Sequence, residues 1–366
     1  MSTPNYWDYL QITELLELQG GLEGGEVDSS DELHFIIVHQ VFELWFKLVL
    51  RELRLARDHL AAPDVPEEHI PHVVHHLRRV HTIMSVCRQQ FGVMETLTTQ
   101  DFLAFRDKLI PASGFQSFQM REMEILLGLQ AMQREKTPAG LGDPVDAVRK
   151  LGQRSPRGPQ VVGKLDSVLA EQTLRDALHA WLYRTPIQGS GPDDDGDEQA
   201  VDQFLEDYLA ASAARAAQGR DRLVEVGVME REAAEAKFAA TAAQARAFLF
   251  ADDVPAEQRR RLRRVRAAIL FIESYRELPL LAWPRLLLDA IVELEESLVL
   301  FRTRHARMVE RIIGRRVGTG GSAGVDYLDK TTKYRIFTEL WAVRTVLLAR
   351  DAVPPLRNED AYGFVF

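Results

Sequence analysis

The chain has 366 residues, 45 of them basic and 54 acidic, giving a formal charge of −9 at pH 7. Hydrophobic residues make up 46% and charged residues 27%, the balance of a globular chain with a sizeable core. At about 150 residues per domain, the length allows two domains or one large one. No run reaches the roughly 18 uncharged apolar residues of a membrane-spanning helix. The first residues lack the basic start and apolar stretch of a secretory leader. One cysteine, Cys87, excludes an internal disulfide framework and any paired-cysteine metal site. The acidic balance argues against a nucleic-acid surface. The expectation is a cytoplasmic protein with no membrane and no nucleic-acid partner.

Helical periodicity dominates the chain. From Asp31 to His59 the residues Phe35, Ile36, Val38, Phe42, Trp45, Phe46 and Val49 recur at three- and four-residue steps. Such a helix, apolar on most faces, belongs inside a domain. Further helices are predicted over Pro66–Met94, Gly114–Met132 and Lys164–Tyr183, the last stopping at Thr185-Pro186. Residues 199–255 are rich in Ala, Glu and Arg, strong helix formers, and read as a peripheral helical hairpin. Two more helices follow, over Ala256–Tyr275 and Trp283–Ile313. Residues 135–160, with four prolines and four glycines, and residues 185–198 read as loops. Period-two runs of β-branched residues are nearly absent. The expected fold is all-α, a single helical-bundle domain over residues 1–366 with surface insertions.

Ten histidines offer two kinds of pattern. His69, His72, His75 and His76 stand among Glu67, Glu68, Arg78 and Arg79, and read as a solvated helix face. His39 and His305 instead lie in apolar stripes on separate long helices. His39 has Phe35 one turn before it and Phe42 one turn after; His305 is flanked by Leu298, Phe301, Met308 and Ile312. A buried imidazole needs a partner, since leaving it unsatisfied costs on the order of 1–3 kcal/mol. The pair is compatible with hydrogen-bonded core histidines or with an apolar cavity holding haem by an axial imidazole. No Cys-x-x-Cys-His run is present, so such a haem would be non-covalent.

Two more segments carry candidate chemistry. In DFLAFRDKLIPASGFQS, Arg106 sits one turn after Phe102, just before a helix break. It reads as a carboxylate clamp or as an ordinary salt bridge to Asp101 or Asp107. GRRVGTGGSAG, residues 314–324, fits a loose dinucleotide pattern but follows a helix rather than a strand, so that reading fails on context. Its backbone N–H groups, with Thr319 and Ser322, can still wrap a small ligand.

The segments YWDYLQITELLELQ, FIIVHQVFELWFK, DFLAFRDKLIPASGFQS, AWLYRTP and RHARMVERIIGRRVGTGGSAGVDYL occur in this order between Tyr6 and Leu328. Together they resemble the tryptophan 2,3-dioxygenase family. The resemblance implies one non-covalent haem b per subunit and cleavage of the indole C2=C3 bond of L-tryptophan by O2, giving N-formyl-L-kynurenine. His305 would be the proximal iron ligand, and Ser113 and Gly114 would line the distal haem side. His39 would meet the indole N–H, as hydrogen-bond partner or base, while Phe35 and Phe102 wall the indole. Arg106 and Thr319 would hold the amino-acid end. The N-terminal segment, residues 1–30, would reach a neighbouring subunit of a homotetramer through Tyr6 and Tyr9. Phe42, Met120 and Phe301 depart from residues common in the family. They leave open a same-superfamily haem oxygenase acting on a substituted tryptophan. A non-catalytic haem-binding or haem-sensing protein is the reading from a different class.

Overall fold

The computed structural model describes residues 5–21, 24, 27, 29–134, 143–321 and 324–363. Its helices in chain order are α1 (Tyr6–Leu10), α2 (Ile12–Leu15), α3 (Ser30–Ala61), α4 (Ile70–Met94), α5 (Thr99–Phe105), α6 (Phe118–Leu127), α7 (Pro144–Gly152) and α8 (Gly158–Ala170). They continue with α9 (Leu174–Arg184), α10 (Asp197–Glu225), α11 (Arg231–Leu249), α12 (Ala256–Ser274), α13 (Ala282–Ile313), α14 (Val325–Thr331) and α15 (Thr338–Val346). Among the described residues there is no strand. The fold is all-α.

Local chemistry accounts for the helix boundaries. Thr98, Ser117 and Thr173 each accept a backbone N–H from the first turn of α5, α6 and α9. Gly128, at φ 108°, ends α6 in a left-handed conformation that a side chain would resist. Two sequence expectations need correction. Most of the loop predicted over residues 135–160 is helical where it is described. Asp143 caps α7 with Pro144 at its first position, and α8 begins at Gly158. The single helix predicted over Lys164–Tyr183 is two, because Thr173 caps a new helix after a break at residues 171–173. Helix α3 has no uncharged apolar run of 18 residues, but an 18-residue window of it that admits up to two charged residues has a mean hydropathy of 1.5. In the fold that apolarity is divided between faces: Val38, Phe42, Phe46 and Val49 are buried, while Ile37, Leu44 and Leu48 are exposed.

The chain forms two compact units, each assembled from three segments. The first comprises residues 1–54, 77–171 and 294–335. In it α8 packs against α6 and α7. Arg54 of α3 holds Glu122 of α6 at 2.6 Å and Glu171 at 3.0 Å. Buried Phe42, Phe46, Phe91 and Phe301 form an aromatic cluster with ring centres 5.0–6.2 Å apart.

The second unit comprises residues 55–76, 172–293 and 336–366. Its centre is α12, which packs on α9, α10 and α15, with Phe271 wholly buried. Buried Arg264 binds Asp197 and donates to the Tyr183 carbonyl at 2.6 Å. Helices α10 and α11 pair through a turn at Gly227, with Arg246 on Glu206 at 2.5 Å, and most of their residues are exposed.

In the same unit, His179 of α9 stands 3.6 Å from the buried carboxylate of Glu339 on α15. Burial alone would raise the Glu339 carboxyl, but the hydrogen bond and charge of His179 outweigh it and hold it at about 2. A carboxyl held below its ordinary 4.5 stabilises the fold above that pH, and the contribution is lost as the pH falls through about 2. Glu339→Gln should therefore lower the urea midpoint at neutral pH and flatten its decline between pH 4.5 and 2. An unchanged acid slope would remove this pair from the account.

Candidate functional site

One cavity of the first unit gathers most of the residues singled out above. It is lined by Phe35, His39 and Phe42 from α3, Phe91 from α4, Phe102 from α5, and Phe301 and His305 from α13. Arg106, Ser113, Gly114 and Thr319 come from the connecting segments. A second cavity, in the other unit, is lined by Trp181, Arg184 and Tyr362 among others and contains no histidine. Only the first offers an imidazole to a ligand.

His39 is oriented by its own helix. Its Nδ1 lies 2.8 Å from the Phe35 carbonyl one turn earlier, and that oxygen can only accept. Nδ1 therefore carries the proton and Nε2 presents its lone pair. Burial lowers the His39 pKa, against a smaller opposing effect of the Phe35 hydrogen bond and the Glu43 charge, so the ring is kept neutral. Phe35 lies against it, ring centres 4.1 Å apart, with Phe102 5.9 Å and Phe105 5.7 Å from Phe35. The result is an aromatic recess with one hydrogen-bond acceptor in its wall.

His305 stands among phenylalanines. Phe91 stacks on it at 5.5 Å and an interplanar angle of 5°, and Phe301 lies 6.2 Å away. Burial pushes its pKa down to about 4, with the neighbouring His39 and Arg121 adding to the effect. Both imidazoles are thus neutral, the form that ligates a metal.

Arg106 is not in an ordinary salt bridge. Asp101 turns back to Thr98, and the Arg106 Nη2 donates to the Val317 carbonyl at 2.5 Å. The Arg106 Nε is buried without a partner. Thr319 donates to the Ala112 carbonyl, also at 2.5 Å. Residues 317–320 therefore lie against residues 111–113. At Gly320 a Cβ would stand 2.7 Å from the Cβ of Ser113, so only glycine permits this approach. Ser322 lies outside the described residues.

The sequence reading missed a group of charges lining the same cavity. Glu124 on α6 accepts from Arg302 Nη2 at 3.0 Å and stands 3.0 Å from Arg121 Nη1. All three side chains are buried, the Arg121 Nε has no hydrogen-bond partner, and the Tyr327 hydroxyl faces the Arg121 guanidinium. The available signal was Arg121 and Glu124 interleaved with Met120, Met123, Ile125, Leu126 and Leu127. Tyr6 and Tyr9 lie elsewhere: both are on α1, 72% and 79% exposed, and neither lines the cavity. His69, just before α4, and His72, His75 and His76, in its first two turns, also lie outside it, in the second unit.

The arrangement can hold a flat apolar group, ligate a metal through neutral imidazole, and bind an anion at Arg106 or Arg121. A family model described as tryptophan 2,3-dioxygenase matches residues 1–347. The chain is 49% identical to tryptophan 2,3-dioxygenase 2 of Ralstonia nicotianae, over 100% of this chain and 98% of that protein. It is 45% identical to tryptophan 2,3-dioxygenase of Sorangium cellulosum, over 98% of this chain and 87% of that protein. With a tryptophan 2,3-dioxygenase-like protein of Xanthomonas campestris it shares 47% identity, over 74% of this chain and 98% of the relative. A family match over nearly the whole chain and relatives this similar along their full lengths have one meaning: the chain belongs to the tryptophan 2,3-dioxygenase family.

Proposed function

We propose that the chain is a haem-dependent L-tryptophan 2,3-dioxygenase. It adds both atoms of O2 across the indole C2=C3 bond and releases N-formyl-L-kynurenine. The observation that carries the reading is the shared cavity, in which two neutral imidazoles, an aromatic recess and an arginine with an unpartnered buried nitrogen meet.

The residues present fit a non-covalent haem b. His305, stacked on Phe91 within an apolar wall, would hold the iron, and Ser113 and Gly114, which line the same cavity, would lie against the porphyrin. The Arg121 Nε, buried without a hydrogen-bond partner, and the Tyr327 hydroxyl beside that guanidinium would be donors suited to the anionic edge of a porphyrin. When bound, haem supplies the redox-active iron at which dioxygen is activated.

The chain's own side chains then do the positioning. Phe35 and Phe102 pack on the indole, contacts worth about 0.5–1.5 kcal/mol each beyond burial. The His39 Nε2 lone pair accepts the indole N–H, because its Nδ1 proton is committed to the Phe35 carbonyl. Arg106 exchanges the Val317 carbonyl for the substrate carboxylate, and Thr319 takes the remaining polar contact at the amino-acid end. The phenylalanine walls keep water from the reacting ring.

The chain is also proposed to work in the cytoplasm as a homotetramer, with Tyr6 and Tyr9 completing a neighbour's site. Support comes from exposed apolar side chains that one chain leaves uncovered: Tyr6, Trp7, Tyr9 and Leu10 on α1, and Ile37, Leu44 and Leu48 on α3.

The decisive experiment is absorption spectroscopy of haem-reconstituted, reduced protein as L-tryptophan is added in air. A Soret band with growing N-formylkynurenine absorbance, and a product mass higher by two oxygen atoms, is expected. A Soret band without that product would remove the dioxygenase reading, and no Soret band would remove haem. His305→Ala should abolish the wild-type Soret spectrum. In Arg106→Ala, loss of a charge-assisted contact of about 1.5–3 kcal/mol should raise KM roughly 10- to 150-fold. An unchanged KM would refute the clamp.

A further inference from the structure

The aromatic recess around Phe35 is bounded at one end by an ion pair that the proposed reaction does not use. Glu32 stands three residues before Phe35 and seven before His39 on α3, spacings that put all three on one side of the helix. Opposite that side run α5 and the single 3-10 turn that continues it, Arg106–Leu109. The contacts between them follow in order. Phe35 lies 5.9 Å from Phe102 and 5.7 Å from Phe105, ring centre to ring centre, and the Lys108 Nζ stands 3.1 Å from the Glu32 Oε2. This ion pair ties down the turn that carries Arg106.

The turn is short, and it begins without a side-chain cap. In a 3-10 helix three residues make one turn, so Arg106 and Lys108, two residues apart, point to different faces. Arg106 lines the cavity, while Lys108 reaches the start of α3. Rotation of the turn about its axis would therefore move both side chains together. The anchor at the other end is firm: the Glu32 side chain is 11% exposed against 62% for Lys108. Residues 18–21 run beside it along α3. The Gln40 Nε2 donates to the Leu18 carbonyl at 2.8 Å, and a Cβ at Gly21 would stand 3.9 Å from the Glu32 Oε1. A carboxylate so enclosed is costly to leave without its cation.

We propose that Glu32 and Lys108 are positioning residues that set the Arg106 guanidinium for the carboxylate of the amino-acid substrate. The proposal rests on the reading of Arg106 as the carboxylate clamp. Neither Glu32 nor Lys108 lines the cavity, so the pair acts through the backbone of the turn. Breaking it frees the turn to rotate and scatters the guanidinium over several directions. The loss falls on substrate binding rather than on the bond-making step, because a clamp at the amino-acid end holds substrate and transition state alike.

The test is steady-state kinetics of the full-length, haem-loaded protein with L-tryptophan, with Arg106→Ala as the control. Lys108→Met, a change at an exposed position, and Glu32→Gln should each raise KM about three- to fivefold. Their kcat should stay within about twofold of the wild type. The double substitution should raise KM no further than either single one, and Lys108→Arg, which keeps the charge, should retain the wild-type KM. A raised KM in Arg106→Ala beside an unchanged KM in Lys108→Met and Glu32→Gln would overturn the proposal and leave the clamp standing. An unchanged KM in Arg106→Ala would remove the clamp, and this proposal with it. A fall in kcat or melting temperature without a rise in KM would also overturn it, since the pair would then serve only the fold.

Discussion

The contact on which the first unit turns is the buried carboxylate of Glu124, held between Arg302 and Arg121. It joins α6 to α13 at a residue three positions before His305, so the same pairing that seats α13 also aims the imidazole at the cavity. One carboxylate facing two guanidinium groups leaves a net positive charge in an apolar wall. Buried charge is tolerated only when paired, and Arg121 retains an unpartnered nitrogen. The wall is therefore short of one anion.

Neutrality of the two cavity histidines follows from the same apolar surroundings. Desolvation is the largest effect on both His39 and His305, and it opposes protonation in each. The two rings differ in what holds them. His39 spends one nitrogen on a backbone carbonyl, which leaves an acceptor for an N–H group; His305 is held by stacking on Phe91. One fold thus presents two neutral imidazoles held in different ways, one by a backbone carbonyl and one by ring stacking.

The part of the cavity wall that carries Arg106 and Thr319 is built differently, from the segments that connect the α-helices. Arg106 and Thr319 are both tied to main-chain carbonyls, of Val317 and Ala112, across a contact that Gly320 allows by lacking a Cβ. These bonds keep the guanidinium pointed at the cavity in the absence of substrate. They use backbone acceptors that a carboxylate can replace at little cost, since the charge-assisted bond to a carboxylate is the stronger of the two.

By itself the sequence determined the helical class, through its three- and four-residue apolar spacing, and the identity of the two buried-stripe histidines. An imidazole repeated among phenylalanines at helical steps is visible without coordinates, because the period of the helix decides which residues share a face. The motifs around Phe35, Phe102, Arg106 and Thr319 stood out by residue type and by resemblance to the family rather than by periodicity, and the structure brings the four residues to one cavity. Only the tertiary structure decided that Arg106 answers to a carbonyl 211 residues away instead of to Asp101 or Asp107. It alone paired Glu124 with Arg302, 178 residues on, and set His59 beside His69, just before α4, and His72 and His76 within it. It also turned the proline- and glycine-bearing stretch before Gly158 into a capped helix, because Pro144 and Gly158 occupy helix starts rather than interiors. Charged and polar side chains are long and their partners distant in sequence, so local periodicity cannot choose between them. Packing makes that choice.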